Sequence, residues 1–435
     1  MRIARFARWV ALFIVAFGLG MAYATANYAQ TKGLLTAIQM SLDVFKSKTA
    51  TNNWFPVRFD RVGVLRHDPS RSQPGYILYT LAPDLSAHLI DTEGRERHRW
   101  TVSRDDVMPG AASEGRTFFG VLKPQVEQAH LYPNGDILLV YAQPAMGEWA
   151  GPLVKLDKNS RILWRSSVKV HHAVEVVGDR IYALTQTFEP PAEPPLVPSL
   201  AGMPYLDDKV SILDSNGKEL RSHSILRAIA NTKDLRLAEA VPFNDRADPL
   251  HSNSIQVLDE RLAGFIPGAK AGNVLVSLRH LDMLIVVDLE RNSVVWALRG
   301  SWRAQHDAKL LPNGNIILFD NQGGLASHGK SRVIEIDPKT GGIVWSFDGS
   351  KDVPFDSLIR GSVQRMANGN TLISESTSGR ILEIAPDGAV AWEYVHPLQD
   401  VENGQKIVAS LGLGVIRYDP SHVSFLGERE RAPTN

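Results

Sequence analysis

Short apolar runs alternate with polar turns along most of this chain, and one phrase recurs. Its fullest copy is QHDAKLLPNGNIILFDN (305–321). VKVHHAVEVVGDRIYAL (168–184), QAHLYPNGDILLV (128–140) and GSVQRMANGNTLISES (361–376) repeat the frame. Each copy reads as an apolar strand, an Asn-Gly or Gly-Asp turn and a second strand, because such turns supply the positive φ a tight hairpin needs. A second phrase follows and ends in tryptophan: VKLDKNSRILW (154–164), VIEIDPKTGGIVW (333–345), ILEIAPDGAVAW (381–392). These terminal tryptophans stand at 100, 164, 296, 345 and 392, and one unit, VSILDSNGKEL (210–220), lacks its own. Six units result, starting near 61, 128, 170, 251, 304 and 361. Four strands per unit and a period of roughly 45–65 residues predict an all-β, six-bladed β-propeller over 61–400. The tryptophans are expected to pack the blades.

Two insertions interrupt the frame, at 189–205 and 225–247. EPPAEPPLVPSLAGMPY is too rich in proline for a regular helix or central strand. ILRAIANTKDLRLAEAV (225–241) has helical composition and is expected to cap one face of the propeller. Residues 401–435 are expected to close or cap it.

The N-terminus has another character. Arg2, Arg5 and Arg8 precede a stretch with no charge until Lys32, long enough to span a bilayer. The charge asymmetry predicts a signal anchor over 1–31, N-terminus inside, with the body on the periplasmic side of a bacterial inner membrane. A cleaved signal peptide ending near Ala24-Thr25-Ala26 is the competing reading and also exports the chain. Residues 32–60 read as a short helical linker, from the amphipathic LLTAIQMSLDVFKSK.

Composition narrows the chemistry. With 47 basic and 47 acidic residues and no basic block, nothing points to nucleic acid. With no cysteine there is no disulfide, thiolate nucleophile or cysteine-ligated metal. No GxSxG or P-loop occurs.

Equivalent positions of different repeats converge in a propeller, so polar residues at the heads of first strands mark a site. The His171-His172 pair, His251 and His306 lie there, and Arg279 lies within the second strand of its unit. Imidazole can attack or move protons near neutrality, and Arg is a permanent fork for oxyanions. The cluster holds no carboxylate pair, which disfavours glycosidase chemistry. It suits transfer of a charged oxyanion group. Asn253, two residues past His251, is a candidate to orient the ligand or that histidine. Asn321 caps a turn or contacts the site, and Arg365 adds charge to the funnel or pairs elsewhere. His280 is read as structural.

DPLHSNSI, LRHLDMLIVVDL, QHDAKLLPNGNIILFDN, SRVIEIDPKTGGIVW and QRMANGNTLISES, over roughly 125–395, resemble the bacterial arylsulfate sulfotransferases. The resemblance implies a six-bladed propeller that moves a sulfuryl group from a phenolic sulfate to a phenol-like acceptor, through a sulfated histidine and without a nucleotide donor or cofactor. It implies His306 as the sulfated residue, His251 as a handler of the phenolic oxygen or the sulfuryl group, and Arg279 as the binder of sulfate oxygens. The His171-His172 pair matches the remaining active-site histidine, with His172 preferred. The absent cysteines and the short N-terminal region depart from the family's better-known soluble members. A homodimer is one arrangement the resemblance allows.

Two other classes compete. A non-catalytic propeller would use the funnel only to hold an anionic ligand, since fold alone does not establish catalysis. A three-histidine metal site is disfavoured by the Arg279 cation beside it.

Overall fold

The computed structural model describes residues 53–107, 116–117, 120–121, 125–145, 148–232, 236–241, 248–323, 330–402 and 404–429. The expected anchor, most of the linker and 242–247 lie outside the described residues. Among the described residues no helix is long and apolar enough to cross a membrane. Trp54–Pro56, inside the stretch expected as a helical linker, is instead a strand paired with Gln405–Ala409.

The fold is all-β and propeller-like, a succession of antiparallel sheets. Ser252–Val257, Val274–Leu278, Met283–Asp288 and Ser293–Arg299 form one four-stranded sheet. His306–Leu310, Ile316–Asp320, Arg332–Ile336 and Ile343–Phe347 form the next. Ser362–Arg365 begins a third, which the early strand Gly63–His67 widens to five at its far edge. Two units, spanning Gln125–Leu131 to Glu219–Ser224, merge into one seven-stranded sheet. They merge because Ile162–Val177 runs unbroken through 16 residues, last strand of one unit and first of the next. Near the chain's end, Ile416–Tyr418 becomes the first strand of the sheet holding Tyr76–Thr80.

Side chains tie neighbouring units at the inner and outer edges of several sheets. Gln256 accepts from the backbone N–H of Leu310 at 2.7 Å and donates to its carbonyl at 3.2 Å. Gln364 does the same to Arg417, at 2.8 and 3.1 Å. At the outer edge, indole N–H groups of Trp100, Trp164, Trp345 and Trp392 donate to turn carbonyls of Gly135, Ser215, Pro386 and Thr92. Trp392 therefore reaches back to the chain's first sheet, so the succession of sheets returns on itself. The hairpin turns must stay bare at such contacts: a Cβ on Gly217, at φ 78°, would lie 2.5 Å from the Trp164 ring.

The insertion after residue 224 differs from expectation. The Ser224 hydroxyl caps Ile225–Asn231 by accepting from the Arg227 N–H at 3.0 Å. Ile225, Leu226, Ala228 and Ile229 are buried in one cluster with Tyr205 and Val210 of one unit and Val276 and Ile285 of the next. The segment is a wedge between two sheets, rather than a cap on one face. Burying each large apolar side chain there stabilises by roughly 1.5–3 kcal/mol.

Candidate active site

The heads of four consecutive first strands carry an unusual backbone. His172, His251, Ala304, Asp307 and Arg360 all have φ between 48° and 59°, the left-handed region that side chains rarely occupy. Pairing slips at the same places, between Val170 and Val174, Ser252 and Ser254, and His306 and Lys309. A bulge re-aims the side chains around it. Here the bulges bring imidazoles from three units together.

The rings form a row. His171 and His172 meet through their Nδ1 atoms at 2.9 Å. The His172 and His251 ring centres are 5.0 Å apart, and those of His251 and His280 are 4.7 Å apart. His251 Nδ1 donates to Asp248 Oδ2 at 2.5 Å, and His280 Nδ1 donates to the Asp248 carbonyl at 2.8 Å. At the other end, His171 Nε2 lies 3.5 Å from Asp208, whose carboxylate also accepts from the backbone N–H and hydroxyl of Ser252. Burial raises the Asp208 pKa above the ordinary carboxylate range.

His306 is held differently. Its Nδ1 lies 2.7 Å from Asn321 Oδ1 and 3.2 Å from the Ala304 carbonyl. Asn321 Nδ2 donates to the carbonyls of Ser357 and Arg360, at 2.8 and 2.6 Å. Two carbonyl acceptors fix which end of that amide is nitrogen, so its oxygen faces His306. Nδ1 must then carry the proton, and Nε2 is left as a lone pair. Burial, and then the charge of Arg279, push the His306 pKa down to about 3. His306 is therefore a neutral imidazole at neutral pH.

His172 and His251 are also held well below the ordinary histidine value. Burial is the first cause for both; the next is His251 for His172, and His280 followed by Arg279 for His251. Arg279 thus influences both His251 and His306.

Most sequence-predicted residues converge: His171, His172, His251, Arg279 and His306, with Asn253 and Asn321 buried among them. Asn253 donates to the Gln305 carbonyl at 2.7 Å, while its buried Oδ1 has no hydrogen-bond partner among the described residues. Asn321 is a brace for His306 rather than a turn cap. Arg365 does not join. It pairs with Glu335 at 2.6 Å and lies over the Trp345 ring, because it ends its strand at the turn, away from the bulged head. Arg279 is not within a strand; it opens a tight turn, Arg279–Leu281. That turn ends the strand and brings the His280 ring to within 4.7 Å of the His251 ring, tilted by 34°.

Asp248, Asp208 and Arg360 were not singled out from sequence, and His280 was read as structural. Asp248 stands three residues before His251 in DPLH, a spacing that could have drawn notice. Arg360 precedes the sixth phrase by one residue. It is buried, donates to Ser410, Asn53 and Gln125, and its charge reaches His172 and His306. Asp248, His251 and His280 could gather donor atoms within 4.8 Å of one another. Both Nδ1 atoms are already bonded to Asp248, however, and Arg279 stands beside them. A divalent cation there would break a charge-assisted bond and face a guanidinium. The trio fits a hydrogen-bonded unit better than a metal centre.

A family model described as Arylsulfotransferase (ASST) matches residues 129–396, more than half of the chain and all of these site residues. No curated protein matches. Among solved structures, the chain is similar to a protein of unknown function from Bacteroides caccae at 12% identity and TM-score 0.42, covering 74% of this chain and 94% of that one. The Dos1 propeller is 10% identical with TM-score 0.38, covering 76% of each chain. A streptogramin B lyase is 13% identical with TM-score 0.34, covering 63% of this chain and 69% of that one. Likenesses this distant carry no argument about activity.

Proposed function

This chain belongs to the arylsulfotransferase family, and from that premise we propose that it transfers a sulfuryl group between aromatic oxygens through a sulfated His306. The acceptor is a phenol or another hydroxyl, and no nucleotide takes part. The observation that carries the reading is the Asn321 brace, which leaves His306 Nε2 as a buried lone pair beside a permanent cation.

In the first half-reaction His306 Nε2 attacks sulfur in line. The S–N bond forms, the S–O bond to the aryl group breaks, and phenolate leaves. Arg279 meets the sulfuryl oxygens, whose charge must be stabilised as in loose phosphoryl transfer. The buried charge of Arg360 adds to that field. In the second half the acceptor oxygen attacks sulfur, the N–S bond breaks, and His251 takes the hydroxyl proton. His172 lies against His251 and supports that proton transfer through the histidine row.

The remaining readings belong to the same proposal: a ring of six units, and an exported body on the periplasmic face held by residues 1–31. The test is initial-rate kinetics with 4-nitrophenyl sulfate and phenol, without nucleotide. Parallel double-reciprocal lines are expected, and loss of transfer in His306→Ala. Wild-type turnover in that variant would mean that another residue carries the group, and a wild-type protein without turnover would leave a propeller that only holds an anionic ligand.

A further inference from the structure

Between the two half-reactions a proton must be taken from the acceptor and kept for a later leaving group. We propose that Asp248 is the positioning residue for this step, holding His251 with its proton on Nδ1 and its Nε2 lone pair free for the acceptor hydroxyl. The inference rests on the sulfuryl-transfer reading above.

Asp248 grips His251 twice. One carboxylate oxygen accepts the backbone N–H at 3.1 Å, the other accepts ring Nδ1 at 2.5 Å. Its own carbonyl accepts Nδ1 of His280 at 2.8 Å. A carboxylate and a carbonyl can only accept, so both imidazoles carry their proton on Nδ1. Both Nε2 atoms are therefore basic. The grip needs the backbone seen here, since His251 sits at φ 50° three residues after Asp248. The ring stays partly open, with 22% of the side chain exposed against 2% for His171.

The groups facing His251 are Asp248, His172, His171, His280, Arg279 and His306. Asp248 is the one carboxylate among them in direct contact. Arg279 opposes an imidazolium there, and the neighbouring rings bring no negative charge to it. When the acceptor O–S bond forms and the N–S bond breaks, its proton moves to His251 Nε2. The resulting imidazolium is stabilised by the Asp248 carboxylate behind it. In the next cycle that proton passes to the departing phenolate, so charge and protons balance over two half-reactions.

Asp248→Asn tests this. The amide can present N–H to Nδ1, which reverses the tautomer and blocks Nε2. Transfer to phenols that are neutral at the assay pH should fall by about 10²–10⁴-fold. The acceptor-free burst from 4-nitrophenyl sulfate should slow much less, because that phenol leaves as its anion. The loss should shrink across acceptors of falling pKa, and as rising pH ionises each one. A merely structural role would slow burst and transfer together, with equal loss for every acceptor, and would overturn the inference. If the variant does not fold, ¹⁵N shifts of imidazole-labelled wild type decide: protonated Nδ1 on His251 supports the inference, protonated Nε2 overturns it. A wild-type enzyme with no burst defeats the transfer reading itself. A wild-type burst with undiminished Asp248→Asn transfer defeats only the role of Asp248.

Discussion

Two buried histidines in this molecule have opposite surroundings. His88, in the sheet closed by the chain's end, lies between Asp84 at 3.1 Å and Glu96 at 3.0 Å and stacks on Tyr79. Both ring nitrogens are occupied, so it has no lone pair to offer. Among the described residues His306 meets no carboxylate; an amide and a carbonyl hold one nitrogen and leave the other available. The first arrangement fixes a structure. The second keeps a reactive atom in reserve, and what separates them is the partner on the far side of the ring, not burial.

The largest expected effect separates the two at once. His306→Ala should lower transfer by at least about 10³-fold, as loss of a nucleophile does, in a variant that still folds. Next, Arg279→Met should cost about 10²–10³ in turnover, the range for one oxyanion-stabilising donor. Lower turnover with little change in donor KM would show that it acts mainly in the transition state. His88→Ala should do the reverse: transfer at wild-type rate, and a loss of about 2 kcal/mol in denaturant unfolding, because a buried ring stacked on Tyr79 is removed. A fall in transfer there would collapse the comparison.

Acidification sharpens it further. His306 titrates near 3 in the fold and near the ordinary histidine value when unfolded. Between those values only the unfolded state takes up the proton, so stability falls as pH drops from about 6.5 toward 3. In His306→Asn the melting temperature should fall less steeply over that window than in wild type. The smallest effect belongs to Arg365→Gln, which loses a partly buried ion pair with Glu335. It should cost about 1 kcal/mol or less and leave transfer unaltered.

The sequence made the strands legible because Asn-Gly and Asp-Gly turns and terminal tryptophans recur at matching positions. It also located the histidines, since a repeated frame shows which positions are equivalent. It did not reveal the backbone. The left-handed residues at 172, 251, 304, 307 and 360 belong to no glycine pattern, and nothing local announces a bulge. Arg365 and Arg360 illustrate the cost: both stand near the head of the sixth phrase, yet only Arg360 reaches the site. His280 was read as structural, and its contact with His251 could not be seen because it depends on the turn that begins at Arg279. Asp248 went unremarked because its role depends on how three residues curl back toward His251, which sequence spacing leaves open.

The central claim is that His306 accepts the sulfuryl group. Its most direct test is peptide mapping by mass spectrometry after mixing the purified protein with 4-nitrophenyl sulfate and no acceptor. A sulfuryl adduct on the peptide carrying His306, formed with a burst of nitrophenol and removed by added phenol, is the predicted result. Nitrophenol release with the adduct on another residue, or folded protein that releases none, would contradict it.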